Sequence, residues 1–280
     1  MKSILKKCIC SIVACATLFG GVIGLFSQKS SVASADVVTE TRYYDAPGVM
    51  PISGTDETIT FARKEETEIV FPNAVPNYFT SDYDNACGPV AGANIVGFYD
   101  KYYEDLIPGY TAYYPANGRY RRPDATYVPA LIGDLYTLMQ TNVWGIGVSE
   151  TECLNGLQTY VQGKNRSLSY TNLKPLAFDL TAYKNAISNN KPVLLFCATT
   201  EVYDIATSDV QDEILFMMSS NAHIVVGYGY YEIKYYDAND VNFRTDVYLE
   251  VATGWLTTSS GYLKANNSFW LNGAYAVNIT

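Results

Sequence analysis

One histidine, His223, serves the whole of this 280-residue chain. Cysteine is almost as scarce: there are six, and no Cys-x-x-Cys pair among them. With so few soft ligands a structural zinc site is not expected, and nothing in the pattern calls for a cofactor. Basic residues are also few, 19 Lys and Arg against 28 Asp and Glu, a formal net charge of −9. That balance argues against nucleic acid or an anionic membrane surface as a partner. The small group Arg119-Tyr120-Arg121-Arg122 reads as a solvated loop, not a binding patch.

The N-terminus has a composition of its own. Lys2, Lys6 and Lys7 precede an apolar stretch from Cys8 to Phe26, and Ala33-Ser34-Ala35 fits a small-x-small cleavage site. Residues 1–35 therefore read as a secretory signal peptide cut after Ala35, with an uncleaved anchor as the alternative. Export without stable membrane insertion follows. Cleavage leaves 15 basic against 28 acidic residues and three cysteines, Cys87, Cys153 and Cys197. An odd number means at least one free thiol; Cys153 and Cys197 either pair or sit as two buried thiols.

Residues 36–74 are polar and irregular, with turn signals at Asp45–Gly48 and Ser53–Asp56, and read as a propeptide or N-terminal arm. Residues 75–280 form the globular domain. Cys87 to Leu106 shows a helical stripe in Ala91, Ile95, Phe98 and Tyr102, with Asp84 or Asn85 as a cap and Pro89 in the first turn. Further helices are expected over 130–140, after the Ser149–Glu152 capping box, and over 180–189. Strands are expected over 192–198, 223–233, 247–251 and 270–278. Residues 199–221 read as a polar lid or insertion, and the 25 tyrosines as edge and surface packing. Helices first and strands later indicate an α+β domain with an antiparallel sheet.

A thiol at a helix start and an imidazole at a strand start form a candidate nucleophile and base. Cys87 gains from the positive end of the helix, and His223 takes the thiol proton and returns it to the leaving group. The ordinary alternatives are a buried cysteine and a satisfied core histidine.

Several segments together resemble the papain-like cysteine peptidases. They are Asn85-Ala86-Cys87-Gly88-Pro89, Asn190-Lys191-Pro192-Val193-Leu194-Leu195, Ala222-His223-Ile224-Val225-Val226-Gly227-Tyr228, and Val251-Ala252-Thr253-Gly254-Trp255 with Gly261-Tyr262 after it. The bacterial C39-like group is the nearest in flavour, with streptopain-type peptidases as relatives, and the resemblance runs from about Val75 to the C-terminus. It implies a papain-like fold: a helical half carrying the cysteine, an antiparallel β half carrying the histidine, and a cleft between them. It also implies an Asn or Asp orienting the imidazole, where this chain has Thr253, whose hydroxyl accepts the imidazole hydrogen bond. Asp237, Asn239 or Asp240 would substitute only if their hairpin folded back. The resemblance further implies an oxyanion-hole glutamine six residues before the cysteine, where Ser81 stands; Asn85 or Ser81 would then supply the second donor beside the Cys87 amide. The implied activity is a secreted cysteine peptidase acting on a protein or peptide. The alternatives are a cell-wall amidase or endopeptidase using the same pair, and a catalytically weak or inactive binding module.

Overall fold

The computed structural model describes residues 27–30, 38–42, 57–71, 75–110, 126–207, 212–266 and 270–280. Most of the expected signal peptide, the turn signals of the arm and the Arg119–Arg122 group lie outside the described residues. Among the described residues there are ten strands and four α-helices. In chain order they are β1 (Ser27–Ser30), β2 (Val38–Arg42), β3 (Glu57–Phe61), β4 (Arg63–Val70), α1 (Cys87–Asp100), α2 (Tyr127–Leu138), α3 (Glu150–Gly163), β5 (Leu168–Asn172), α4 (Leu180–Ser188), β6 (Val193–Thr207), β7 (Asp212–Tyr236), β8 (Asn242–Ala252), β9 (Ser260–Lys264) and β10 (Leu271–Ile279).

Eight of the strands form one antiparallel sheet in the order β1-β4-β7-β8-β9-β6-β10-β5, and β2 and β3 pair separately. β6 also pairs with β7, so β7, β8, β9 and β6 close into a ring through the Tyr203–Tyr262 contact. The 25-residue β7 is the spine. Its first part runs beside β6 and its last part beside β4, and the hand-over falls at Gly227-Tyr228-Gly229. A Cβ on Gly227 would meet the Tyr183 hydroxyl at 2.5 Å. Glycine is required there because the strand and α4 approach too closely for any side chain.

This architecture overturns the papain-like expectation of a separate helical half facing a β half. The helices do not form a layer with its own core. From Gly88 to Asp100 every residue of α1 is buried, and one apolar cluster runs through α1, α2, α3 and the sheet. A helix apolar around its whole circumference is enclosed, not laid along one side of a cleft. The Tyr99 hydroxyl ties it to β10, donating to the Val277 carbonyl at 2.8 Å.

The Ser149–Glu152 capping box closes as expected, each partner bonding the other's backbone amide. The first helix is shorter than its periodicity indicates, ending at Asp100 before a single 3-10 turn at Glu104–Leu106. It has no side-chain cap either, because Asn85 takes a left-handed φ of 54° and Ala86 opens the helix. Residues 199–207 and 212–221 are strand, the distal part of the β6–β7 hairpin, and not an irregular lid. β4, within the expected propeptide, pairs with β7 along its whole length, so the arm is built into the sheet. β1 lies on the outer side of β4, and a cut after Ala35 would remove it.

The tyrosines also depart from expectation. Tyr78, Tyr183, Tyr235 and Tyr248 rank among the largest fully buried side chains. Buried and half-buried phenols donate to main-chain carbonyls of other elements: Tyr160 to Leu106, Tyr183 to Gly229 and the half-buried Tyr170 to Leu154. Each brings a large apolar ring and satisfies one carbonyl that burial would otherwise orphan. Tyr99→Phe is therefore expected to lower unfolding free energy by about 1–3 kcal/mol, the cost of a buried carbonyl left without its donor. Urea denaturation would show the midpoint falling at unchanged slope.

Candidate active site

Cys87 is the first residue of α1 and is half-buried. Its sulfur faces three backbone amides: that of Ile224 on β7, that of Gly88 and its own. The last two belong to the open first turn of the helix, where no intrahelical acceptor exists for them. The close fit of Gly88 holds the helix start against the strand. A Cβ on Gly88 would lie 2.4 Å from Val148 Cγ1 and 3.4 Å from Ile224 Cδ1.

His223 stands one residue before Ile224 on β7, opposite Cys197 of β6, and is only 8 % exposed. Its Nε2 lies 2.7 Å from the backbone carbonyl of Thr253. A carbonyl only accepts, so Nε2 carries the proton and the neutral ring presents Nδ1 as its lone pair. The Trp255 indole stacks on the imidazole with centroids 4.5 Å apart and planes 14° apart.

Thr253 thus meets His223, but through a different atom from the one expected. Its hydroxyl donates to the Thr258 carbonyl and accepts from the Trp255 amide at 3.1 Å. The side chain holds the turn together, and the main chain orients the imidazole. The turn is tied down again by Asn77, which the sequence reading passed over. Asn77 Oδ1 accepts from the Gly254 amide at 2.7 Å and its Nδ2 donates to the Trp255 carbonyl at 3.0 Å. Gly254 has φ +77°, and a Cβ there would sit 3.0 Å from Val90 of α1. The available signal was an amide alone in the apolar run Val75-Pro76-Asn77-Tyr78-Phe79. Such a group, once buried, must bond the backbone.

The other candidate side chains are engaged elsewhere or exposed. The Asn85 side-chain amide donates to Asn142 Oδ1 at 2.9 Å, and Ser81 is exposed in the loop ahead of α1. Asp237 accepts from Asn239 and Val241 within the β7–β8 turn, and Asp240 pairs with Arg63. That turn lies about 40 Å along β7 from His223, so it cannot fold back to the ring. Cys153 and Cys197 are free and buried. Burial pushes the Cys153 thiol far up and Cys197 up to about 12. Among the described residues no cluster of three His, Cys, Asp or Glu is placed to hold a metal ion, and no helix is long and apolar enough to cross a membrane.

The electrostatics differ from a preformed thiolate. Burial raises the Cys87 pKa above 9.0 despite the three amides, which pull the other way. Burial also lowers His223 below 6.5, against the pull of the Thr253 carbonyl. Desolvation penalises both charged forms, so the resting site is a neutral thiol and a neutral imidazole. A neutral pair of this kind suits deprotonation in step with attack and does not store a thiolate.

Two outcomes follow. Because His223 is the one histidine, its ring signals are assigned without ambiguity. Nitrogen-detected NMR should report the Nε2–H tautomer and a midpoint below 6.5. A depressed histidine pKa means the unfolded chain binds the extra proton first as pH falls. The stability it contributes is complete above 6.5 and is lost on acidification through the folded pKa; the raised Cys87 pKa costs stability only above 9.0. Asn77→Ala should lower unfolding free energy by about 1–3 kcal/mol, since it strands both the Gly254 amide and the Trp255 carbonyl.

Comparison with protein-family models, with curated proteins and with solved structures found no match to this chain.

Proposed function

We propose that the chain is a cysteine-type peptidase in which Cys87 is the nucleophile and His223 the general base and acid. The observation that carries this reading is the meeting of a helix-start thiol with the β7 amide next to a histidine whose Nε2 is already engaged. His223 Nδ1 takes the thiol proton as Sγ attacks the peptide carbonyl. The developing oxyanion forms beside the amides of Cys87 and Gly88. The imidazolium then protonates the leaving amine, giving a thioester and a free amine. Water attacks the thioester, its proton passing to His223; the C–S bond then breaks, that proton returns to Sγ, and the carboxylic acid leaves a restored thiol. This is the chemistry of the bacterial C39-like peptidases that the motifs resemble, on a scaffold that is not papain-like. The expected signal peptide makes the setting extracellular and the substrate a protein or peptide.

A second reading, a weakly active or inactive binding module, is favoured by the same geometry. A carbonyl, unlike a carboxylate, adds no full negative charge to stabilise an imidazolium, and the thiol rests protonated.

Purified protein lacking residues 1–35 should be assayed on fluorogenic peptides and, in parallel, on purified cell wall. Cys87→Ser and His223→Ala are each expected to reduce kcat/KM by about a thousandfold or more. Thr253→Val keeps the carbonyl that holds the ring and should stay within about tenfold of wild type. A fall in kcat/KM on acidification, with its midpoint below 6.5, would report His223 as the base. Turnover of cell wall alone would make the enzyme an amidase or endopeptidase. No turnover of either substrate, with iodoacetamide labelling of Cys87 unchanged in His223→Ala, would leave the binding module.

A further inference from the structure

The helices α2 and α3 touch at one point and then part. A Cβ on Gly156 would lie 2.7 Å from both Cα and N of Met139, so no side chain separates the two backbones there. Past that contact they enclose a groove of about 430 Å³, with Thr137 and Leu138 of α2 on one wall and Thr159, Tyr160 and Gly163 of α3 on the other. That volume lies in the range of small-molecule sites. The space beside Gly163 is open: a Cβ there would have nothing within 4 Å.

The walls are mainly carbon, because their polar groups are spent. The Thr137 hydroxyl donates to the Gly133 carbonyl at 3.0 Å and the Thr159 hydroxyl to that of Asn155 at 2.8 Å, each within its own helix. The Tyr160 hydroxyl donates to the Leu106 carbonyl at 2.9 Å, which fixes its ring against the groove, and Leu138 is exposed opposite. Two full charges flank this apolar trough. Lys164 carries its ammonium over the Tyr160 ring, 5.1 Å from the centroid. On the other helix, Asp134 lies near the same ring: burial first, and then the charge of Asp134, hold the Tyr160 hydroxyl protonated. Among the described residues no ion pair joins Asp134 to Lys164, although both line the groove. A carboxylate and an ammonium held apart over carbon complement a molecule that carries both charges and an apolar side chain.

The groove is separate from the nucleophile. On α3 it is Cys153 that lies beside the start of α1, its sulfur 3.6 Å from where a Gly88 Cβ would be. Tyr160 follows seven residues later, about 10 Å further along the helix.

We propose that the α2–α3 groove binds a small zwitterion with an apolar side chain, an amino acid or dipeptide of the leucine kind. Its ammonium meets Asp134, its carboxylate meets Lys164, and its side chain lies along Leu138 and Tyr160. The proposal does not rest on the peptidase reading, since no lining residue belongs to the catalytic pair.

The test is titration calorimetry on Cys87→Ser protein, which does not consume a dipeptide. The ligands are leucine, leucyl-leucine, glycine, N-acetylleucine and leucinamide. Leucine or leucyl-leucine should bind, and whichever binds tighter sets the length of the zwitterion. N-acetylleucine, without the ammonium, and leucinamide, without the carboxylate, should each bind at least about fivefold more weakly, as should glycine. Asp134→Asn should remove the discrimination against N-acetylleucine, and Lys164→Gln that against leucinamide. Gly163→Val, which fills the open space, should abolish binding with the circular dichroism spectrum unchanged. No heat from either zwitterion at about 10 mM would overturn the proposal, because a contact of this size binds at millimolar concentration or below. Equal affinity for leucine, N-acetylleucine and leucinamide would overturn it as well, and so would binding retained in Gly163→Val.

Discussion

The burial of α1 on every side is the constraint from which the rest follows. A fourteen-residue helix without a solvated face must have partners all round it, and here they are α2, α3, the Thr253–Trp255 turn and the sheet. Its backbone satisfies itself everywhere except at the ends. At the start the amides of Cys87 and Gly88, which have no intrahelical acceptor, are turned toward the Cys87 sulfur. The glycine at 88 lets the neighbouring strand come close enough to add the amide of Ile224.

The same enclosure sets the character of the pair. Amides at a helix start favour a thiolate, and a carbonyl on Nε2 favours an imidazolium, but neither matches the loss of water around both groups. Desolvation wins because each opposing contribution is a dipole, not a full charge. Neither group therefore carries a charge at rest. Orientation is arranged beforehand instead: Thr253 offers its carbonyl, Trp255 lies flat on the ring, and Asn77 pins the turn that carries both.

The residues of the candidate site stood out in the sequence more than the scaffold around them did. Cys87 and His223 stood out because their residue types are rare and each opens a periodic segment. Thr253 was found by position, while its acting atom depended on a turn closed by Thr258 and Ser259. Asn77 gave little sign, since its partners lie about 180 residues away and only tertiary contact reveals them. The capping box at Ser149 was readable because it is local. The division into two halves misled because helix periodicity does not tell whether the polar-looking face is covered. The strand β4 and the distal β6–β7 hairpin were missed for a related reason. Their charged and polar residues alternate on a surface that another element then covers.

The placement of β4 bears on how the molecule comes to exist at all. Among the described residues it precedes every helix, and its inward partner in the sheet is the far end of β7, where Val70 faces Gly229 and Arg63 faces Tyr236. Roughly 160 residues of chain must emerge before that ladder has a second rail, and loop closure on this scale slows folding. β5 likewise waits for β10, the last strand of all. These ladders are therefore late events in which parts of the chain far apart in sequence meet, and Cys87 likewise reaches the β7 amide of Ile224 only by long-range contact.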